Sequence, residues 1–427
     1  MNKDDLILVS VDDHTIEPPD MFEGRVPKKF AASAPRVVRN EDGTDAWIYD
    51  SKVLPSVGLS ATVGRPPEEY GVEPTSFAEM RRGTYDVHER VKDMSANGVL
   101  AALCFPSFVR FTGFLFAESA AKNPEQALAM VRAYNDWHIE AWCGEYPDRL
   151  IPLAITPMWD PQLMAQEVQR VAALGVHAVT FSANPHNLGL PSLFTDHWDP
   201  FWAACEECET IVCTHLGTGG IKPTSPETSM AAHLTGIQIS LYTAAADYLW
   251  SPIFRKFGRL KIALSEGGIG WIPYLLERAD FVYKHHSAWT GDDLGGRLPS
   301  EIFKEHVITC FIEDEFGVAN LDYMNRDMVT WECDYPHSDC TWPTSPEVTS
   351  RYLTSLSAED IAKITHLNAM RLFSFDPFAK RTPESCTVGA LRAEVRDHDI
   401  SVKSYGVKKD RATTVGARDK LGVSSKG

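Results

Sequence analysis

The chain has 427 residues, 44% hydrophobic and 23% charged, with a formal net charge of −17. This is the composition of a globular protein with ample apolar material for a large core, and its acidity disfavours a phosphate backbone as partner. No stretch is apolar for long enough to cross a membrane as a helix, and the length is within reach of one α/β barrel carrying insertions.

The opening "MNKDDLILVS" has too short an apolar run for a signal-peptide core and no small-residue cleavage site. The nine cysteines are scattered and odd in number, so a reduced, cytoplasmic protein is expected. Cys205 and Cys208 have CxxC spacing, but they fall in the amphipathic "FWAACEECE" with no second pair nearby. They read as packing rather than redox chemistry.

"LILVSVD" (Leu6 to Asp12) predicts the first strand. Residues 36–85 then break the pattern: "RVVRNEDGTDAWIYDSKVL" predicts a β-hairpin around Asp42-Gly43, followed by a Pro/Gly-rich loop. This is expected to be an insertion lying over the first strand and roofing what lies beneath it. Strand-like and helix-like runs alternate from there on. "GVLAALCFPS" is a strand and "PEQALAMVRAYNDWHIEAWCGEY" a helix. "RLIPLAIT" is a strand, "PQLMAQEVQRVAALG" a helix with a glycine stop, and "VHAVTFSA" a strand. "WDPFWAACEEC" is a helix and "TIVCTHLG" a strand, and "LKIALSEGG", "VITCFIEDE" and "DMVTWECDYPH" are three more strands.

Eight βα units imply a parallel sheet, and closed on itself that sheet is a (β/α)8 TIM barrel spanning residues 1–380. A doubly wound open sheet is the alternative, weakened by the absence of a glycine-rich dinucleotide turn after strand one. Residues 381–427 form a polar C-terminal extension, expected to wrap the surface and to be partly disordered at its end.

Barrel chemistry sits at the C-terminal ends of the strands. Strand one ends in Asp12-Asp13-His14, with Glu17 just beyond. Residues two apart share a face, so Asp12 and His14 point into the barrel mouth together and Asp13 points away. Strand five ends in Thr214-His215, strand six in Ser265-Glu266, strand seven in Glu313-Asp314-Glu315 and strand eight in Cys333-Asp334-Tyr335-Pro336-His337. Asp314 and Glu315 read as helix N-caps. Asp12, His14, Glu17, His215, Glu266 and Asp334 are different. Their convergence on one mouth costs too much electrostatically unless a cation binds them.

The motifs "VDDHTIEPPD", "RVKDMSANGVLAALCFPSF", "YNDW", "YPDRLIPLA", "THLG", "SEGGIGWIPYLLERAD" and "CDYPHSD" together resemble the amidohydrolase superfamily. The resemblance runs from Leu6 to about Phe375, in the branch that holds the aminocarboxymuconate semialdehyde and resorcylate decarboxylases. It implies that His215 and Asp334 stand where the family's strand-five His and strand-eight Asp stand. Two departures matter. The usual His-x-His after strand one is Asp12-x-His14, and the usual strand-six His is Glu266. Strand four has no lysine to be carboxylated. Oxygen-rich ligation with imidazole favours iron or manganese over zinc, and four carboxylates offset much of the charge of two divalent ions. In this respect the chain is similar to the nonheme diiron monooxygenases of the fold, a resemblance that implies oxygen activation and hydroxylation of a bulky apolar acyl substrate.

The expected cofactor is therefore two divalent ions, iron first and zinc or manganese as alternatives, with Glu17 or Glu266 bridging. Three functions stay open: a diiron monooxygenase, a metal-dependent hydrolase of an amide, ester or thioester, and a nonoxidative decarboxylase. Asp334 acts as base or acid in the last two. His337 either orients a ligand or moves protons, or it only bonds the Ser338-Asp339 turn. Phe108 and Arg110 in "FPSFVRF", with Trp271, are candidate contacts for an apolar substrate bearing an anionic group, although the same residues suit a core with one surface Arg. The expected partner is a small molecule, with neither nucleic acid nor membrane, and the resemblance implies a homodimer.

Overall fold

The computed structural model describes residues 2–220 and 225–406. β1 (Val9–Thr15) enters the barrel and is followed by an antiparallel sheet of β2 (Arg36–Arg39), β3 (Asp45–Tyr49) and β4 (Lys52–Leu54). The barrel resumes with β5 (Ala101–Pro106), β6 (Leu150–Ile151), β7 (Ala178–Phe181), β8 (Ile211–His215), β9 (Ile262–Ser265), β10 (Val307–Phe311) and β11 (Val329–Trp331). These eight parallel strands run in the order β6-β5-β1-β11-β10-β9-β8-β7. Just past β6, Ala154 pairs with Val179 of β7, with N–H···O bonds of 3.0 Å on either side, and this joins the two ends of the sheet. The predicted (β/α)8 barrel is the observed fold, with all eight predicted strands in place.

The connecting helices carry the signals that predict them. The helix Val87–Asn97 starts where the Asp86 carboxylate accepts from the N–H groups of His88 and Glu89, and stops at Gly98 in the left-handed conformation (φ 76°). The helix Pro161–Ala172 is capped by Asp160 and has Pro at its first position. The long helix after β5 runs as Pro124–Trp137 and then widens into a π turn at His138–Cys143.

The barrel interior is layered. Val9, Ala101, Ile151, Ala178, Ile211, Ala263, Ile308 and Met328 fill its lower part. The opposite faces of the same strands, among them Ala102, Cys104, Val179, Val212, Leu264 and Trp331, pack outward against the helices. β1 departs from plain alternation. Its register against β5 runs Val9↔Ala101 and Ser10↔Ala102, then jumps to Asp13↔Cys104 and His14↔Phe105. One extra residue is accommodated between Ser10 and Asp13, a β-bulge that re-aims everything after it. Val9 and Val11 face the interior, and so do Asp12 and His14 beyond the bulge. Asp13 faces outward.

There Asp13 meets Arg90, which is fully buried. Arg90 NH1 lies 3.5 Å from Asp13 Oδ2, its Nε donates to Gly83 O at 2.7 Å, and its NH2 donates to His14 O. The guanidinium thus ties the end of β1 to the insertion. Each of these buried polar groups is paired, which buried charge requires.

The insertion departs from the predicted hairpin by one strand. The Asp42-Gly43 turn forms as expected, with Asp42 Oδ1 accepting from Thr44 N at 2.9 Å. The sheet then turns again at Asp50 and Ser51 (φ 49° and 61°) to add β4. That turn has no glycine to mark it in the sequence. Trp47 of β3 is buried and stacks on Phe108 beyond β5, ring centroids 4.1 Å apart, so the insertion rests on the loop after β5.

The C-terminal extension is more structured than its composition predicts. A helix at Val388–Glu394 packs Leu391, together with Cys386, against Val9 and Leu100 across the lower end of the barrel. The helix is too short for its apolar period to stand out in a polar stretch. The disorder expected at the chain end falls in residues 407–427, outside the described residues. Among the described residues, no helix is long and apolar enough to cross a membrane.

Candidate metal centre

Four strand ends bring ionisable side chains to one place in the barrel mouth. β1 supplies Asp12 and His14, β8 supplies His215, Glu266 follows β9, and Asp334 follows β11. The backbone locks them together: Asp334 N donates to Asp12 O at 2.8 Å, and His14 N donates to Tyr335 O at 2.6 Å. Glu266 and Asp334 both adopt left-handed backbone (φ 61° and 59°), which turns each carboxylate in at its strand end. Non-glycine residues hold that conformation at a cost, and such strain concentrates at functional sites.

The side-chain atoms converge on His14 Nε2. It lies 3.1 Å from His215 Nε2, 3.4 Å from Asp334 Oδ1 and 3.6 Å from Asp12 Oδ1. His215 Nε2 lies 3.4 Å from both Asp12 Oδ2 and Glu266 Oε2. The His215 Nδ1–H donates to Leu216 O at 2.6 Å, so its Nε2 presents a lone pair to the cluster. Two imidazole nitrogens thus face each other at contact distance. Both oxygens of Asp12 and Oδ2 of Asp334 are buried with no hydrogen-bond partner in the protein. A neutral protein does not bury such atoms bare. The donor set of Asp12, His14 and His215, extended by Asp334, fits a divalent cation.

Electrostatics carry the same message. Burial, then the charges of Glu332, Asp334 and Glu266, pushes the Asp12 carboxyl well above its ordinary range. Burial, then Asp334, does the same to Glu266. Burial, then Asp339 and Glu332, raises Asp334. Burial lowers His14, with His337 and His215 adding to it, and it brings His215 down to about 3. Without a cation, burial and the neighbouring like charges favour the neutral form of each of these carboxyls and imidazoles.

His337 lies against this centre rather than in the turn that follows. Its Nδ1 is 2.8 Å from Asp334 Oδ1, and its ring packs on His14 with centroids 4.0 Å apart. Glu332, which sequence reasoning passed over, is buried in the interior two residues before Asp334. Its Oε2 accepts from Glu266 N at 3.1 Å and from the Cys310 thiol at 2.6 Å, and burial raises its carboxyl to about 7. Strand periodicity was the available signal: an acidic residue two before Asp334 must share its inward face.

The structure does not bring Glu17 into the cluster. Glu17 is fully buried, but its oxygens accept from the backbone N–H groups of Ser107 and Phe108 at 3.0 and 2.7 Å. Here a carboxylate caps an otherwise unsatisfied loop, and burial still raises it to about 7. Glu17→Gln is expected to replace one accepting oxygen with a donor facing a donor. That should lower stability by about 1–3 kcal/mol while leaving the bound metal per chain unchanged. Urea unfolding and metal analysis check both halves; loss of an ion would restore Glu17 as a bridge.

The residues expected at the substrate side are placed unevenly. Phe108 is stacked beneath Trp47, and Arg110 NH1 pairs with Glu118 Oε1 at 3.3 Å. The member of that loop that touches the imidazoles is Phe111, with centroids 4.3 Å from His215 and 4.8 Å from His14. Arg110 sits in left-handed backbone (φ 56°), closing the turn that folds Phe111 back over the histidines. Trp271 Nε1 donates to Gly267 O at 2.7 Å and so braces the Glu266 loop. Asp314 caps the following helix, accepting from Gly317 N at 2.7 Å, and also holds Ile269 and Gly270 N–H groups of that loop.

Compared with known proteins, residues 51–375 match the family profile described as Amidohydrolase. The gamma-resorcylate decarboxylase of Rhizobium sp. (strain MTP-10005) is 26% identical over 349 residues, covering 74% of this chain and 94% of that protein. Among solved structures, an amidohydrolase from Mycobacterium avium subsp. paratuberculosis K-10 superposes with a TM-score of 0.66 at 21% identity, over 86% of this chain and 99% of that one. A 5-carboxyvanillate decarboxylase from Novosphingobium aromaticivorans, solved with bound manganese, superposes with a TM-score of 0.62 at 16% identity, over 88% and 99%.

Proposed function

Because this chain belongs to the amidohydrolase family, we propose that it is a metal-dependent enzyme acting as a nonoxidative decarboxylase on a small aromatic carboxylate. The observation that carries the reading is the grouping of Asp12, His14 and His215, with Asp334 Oδ1 3.4 Å from His14 Nε2 and both oxygens of Asp12 without a hydrogen-bond partner. Those four residues would hold one divalent ion, manganese or zinc. The decarboxylase relatives, one of them solved with manganese, support this function over the oxygenase weighed from the sequence.

A bound ion supplies the positive charge that anchors the substrate's carboxylate. The chain's own groups do the rest. Phe111 and Phe105 wall the imidazoles with flat apolar surface, which receives an aromatic ring and excludes water. Asp334, with His337 against its Oδ1, is placed to pass a proton to the substrate. As the bond from ring carbon to carboxylate breaks, the carbon takes that proton and carbon dioxide leaves. His337, against Asp334 Oδ1, returns a proton to the carboxylate.

A second reading rests on one observation. The partly buried Glu266 and the buried Glu332 add two carboxyls beside the four ligands, more than one divalent ion needs to be neutralised. This favours a dinuclear, iron-dependent oxygenase. One experiment decides: protein loaded with manganese, zinc or iron is incubated without oxygen with a panel of hydroxybenzoates that includes gamma-resorcylate. Carbon dioxide release at one ion per chain is the expected result. No release, with two irons per chain and oxygen uptake in the presence of a reductant, would replace the decarboxylase with the oxygenase.

A further inference from the structure

Two thiols meet on the reverse side of the strand end that carries Asp334. Cys333 points away from the ligand cluster, into the layer between barrel and helices, where it is buried. Its Sγ lies 3.5 Å from Sγ of Cys340, which is partly exposed. Each sulfur is held in place by a donor: Asn97 Nδ2 at 3.5 Å from Cys333, and Trp342 N at 3.3 Å from Cys340. The chain between the two cysteines, "DYPHSD", holds both Asp334 and His337.

We propose that Cys333 and Cys340 form a dithiol–disulfide site, oxidised by a peroxide, whose closure displaces Asp334. The more exposed Cys340 attacks one oxygen of hydrogen peroxide, giving a sulfenic acid and one water. Cys333 then attacks the Cys340 sulfur, the S–S bond forms, and the sulfenic oxygen leaves as a second water. Two thiols lose two electrons and two hydrogens in all, and one peroxide becomes two waters. A disulfide requires the sulfurs to close by about 1.5 Å from their present separation. The movement is taken up by the loop they bracket, and Asp334 is bonded directly to Cys333. The effect on metal binding rests on the assignment of Asp334 as a ligand; the disulfide does not.

The test uses the full chain. Peroxide treatment is followed by thiol alkylation and trypsin, which places both cysteines and no other in one peptide, residues 327–351. That peptide is expected to be lighter by two hydrogens, to take no label, and to regain two labels after dithiothreitol. Manganese affinity of the oxidised protein should fall about tenfold and recover on reduction. Cys340→Ser should keep its affinity through peroxide, with Cys340→Ala as the substitute if the serine variant does not fold. Two labelled thiols after peroxide, or a sulfinic acid at either, would overturn the site. A disulfide with unchanged manganese affinity would overturn its coupling to Asp334. If the reduced protein binds no manganese, the metal reading fails, while the peptide mass still decides the disulfide.

Discussion

Asp334→Asn is expected to lower kcat about a thousandfold while the protein still folds. The amide keeps the shape of the carboxyl and can still meet His337 Nδ1, now 2.8 Å from Oδ1. It has no proton of suitable acidity to give, and it is a weaker ligand beside His14 Nε2 at 3.4 Å. Metal content measured on the same sample separates the two losses. If the ion stays and turnover vanishes, the proton is the missing element. His337→Gln should lose less, about tenfold to a hundredfold, and should shift the pH profile, because His337 acts through Asp334. Turnover by Asp334→Asn within a factor of a few of the parent would remove Asp334 from the chemistry.

The second large effect is on stability. Adding manganese or zinc to metal-free protein should stabilise it by about 2.7 kcal/mol at a hundredfold excess over Kd. Differential scanning calorimetry reads this as a rise in Tm, and the rise should widen as pH increases from about 6 to about 8. The sign follows from one carboxyl. Glu332, beside the cluster, is raised to about 7 by burial, above the ordinary range. A folded state with raised carboxyl pKa values binds more protons than the unfolded chain, so the stability it gains is present at low pH. That stability is lost as pH rises through the folded values. His14 and His215 are shifted down, so the unfolded chain takes up their protons below about 6.5 and they oppose the loss, in metal-free and metal-loaded protein alike. The unfolded state cancels in the difference between the two, which reads the carboxyl alone. A cation compensates Glu332 as it ionises, so the gain in Tm on adding metal should grow with pH. Equal Tm values with and without metal across this range would mean that the cluster binds neither ion.

Much of this was legible in the sequence because it depends on local rules. Asp86 and Gly98 bracket their helix as any cap and stop would, and Asp314 caps the next turn as an acidic residue after a strand often does. The Asp42-Gly43 turn carries its own signal, whereas the Asp50-Ser51 turn adopts the same left-handed geometry with residues that announce nothing. The C-terminal helix was missed for a related reason: its stability comes from Leu391 and Cys386 covering the open end of a barrel, not from its own composition. Glu17 looked like a ligand because its residue type and position suited one. Backbone N–H groups of Ser107 and Phe108, far along the chain, claimed it first.

By itself the sequence determined that Asp12 and His14 share a face and that Asp13 does not, since period two is a property of any extended chain. It determined the eight-fold alternation and the residue types from which the centre is built. Which face Asp12 and His14 share was decided only in the tertiary structure. Unbroken alternation from Val9 and Val11, which line the interior, would send Asp12 and His14 outward with Ser10. The bulge between Ser10 and Asp13 reverses this, and it is held where Arg90 grips Asp13 and the carbonyl of His14. The strain of Glu266 and Asp334 in left-handed backbone is carried by contacts between distant segments. Those contacts bring two imidazole nitrogens to 3.1 Å, and no window of sequence contains them.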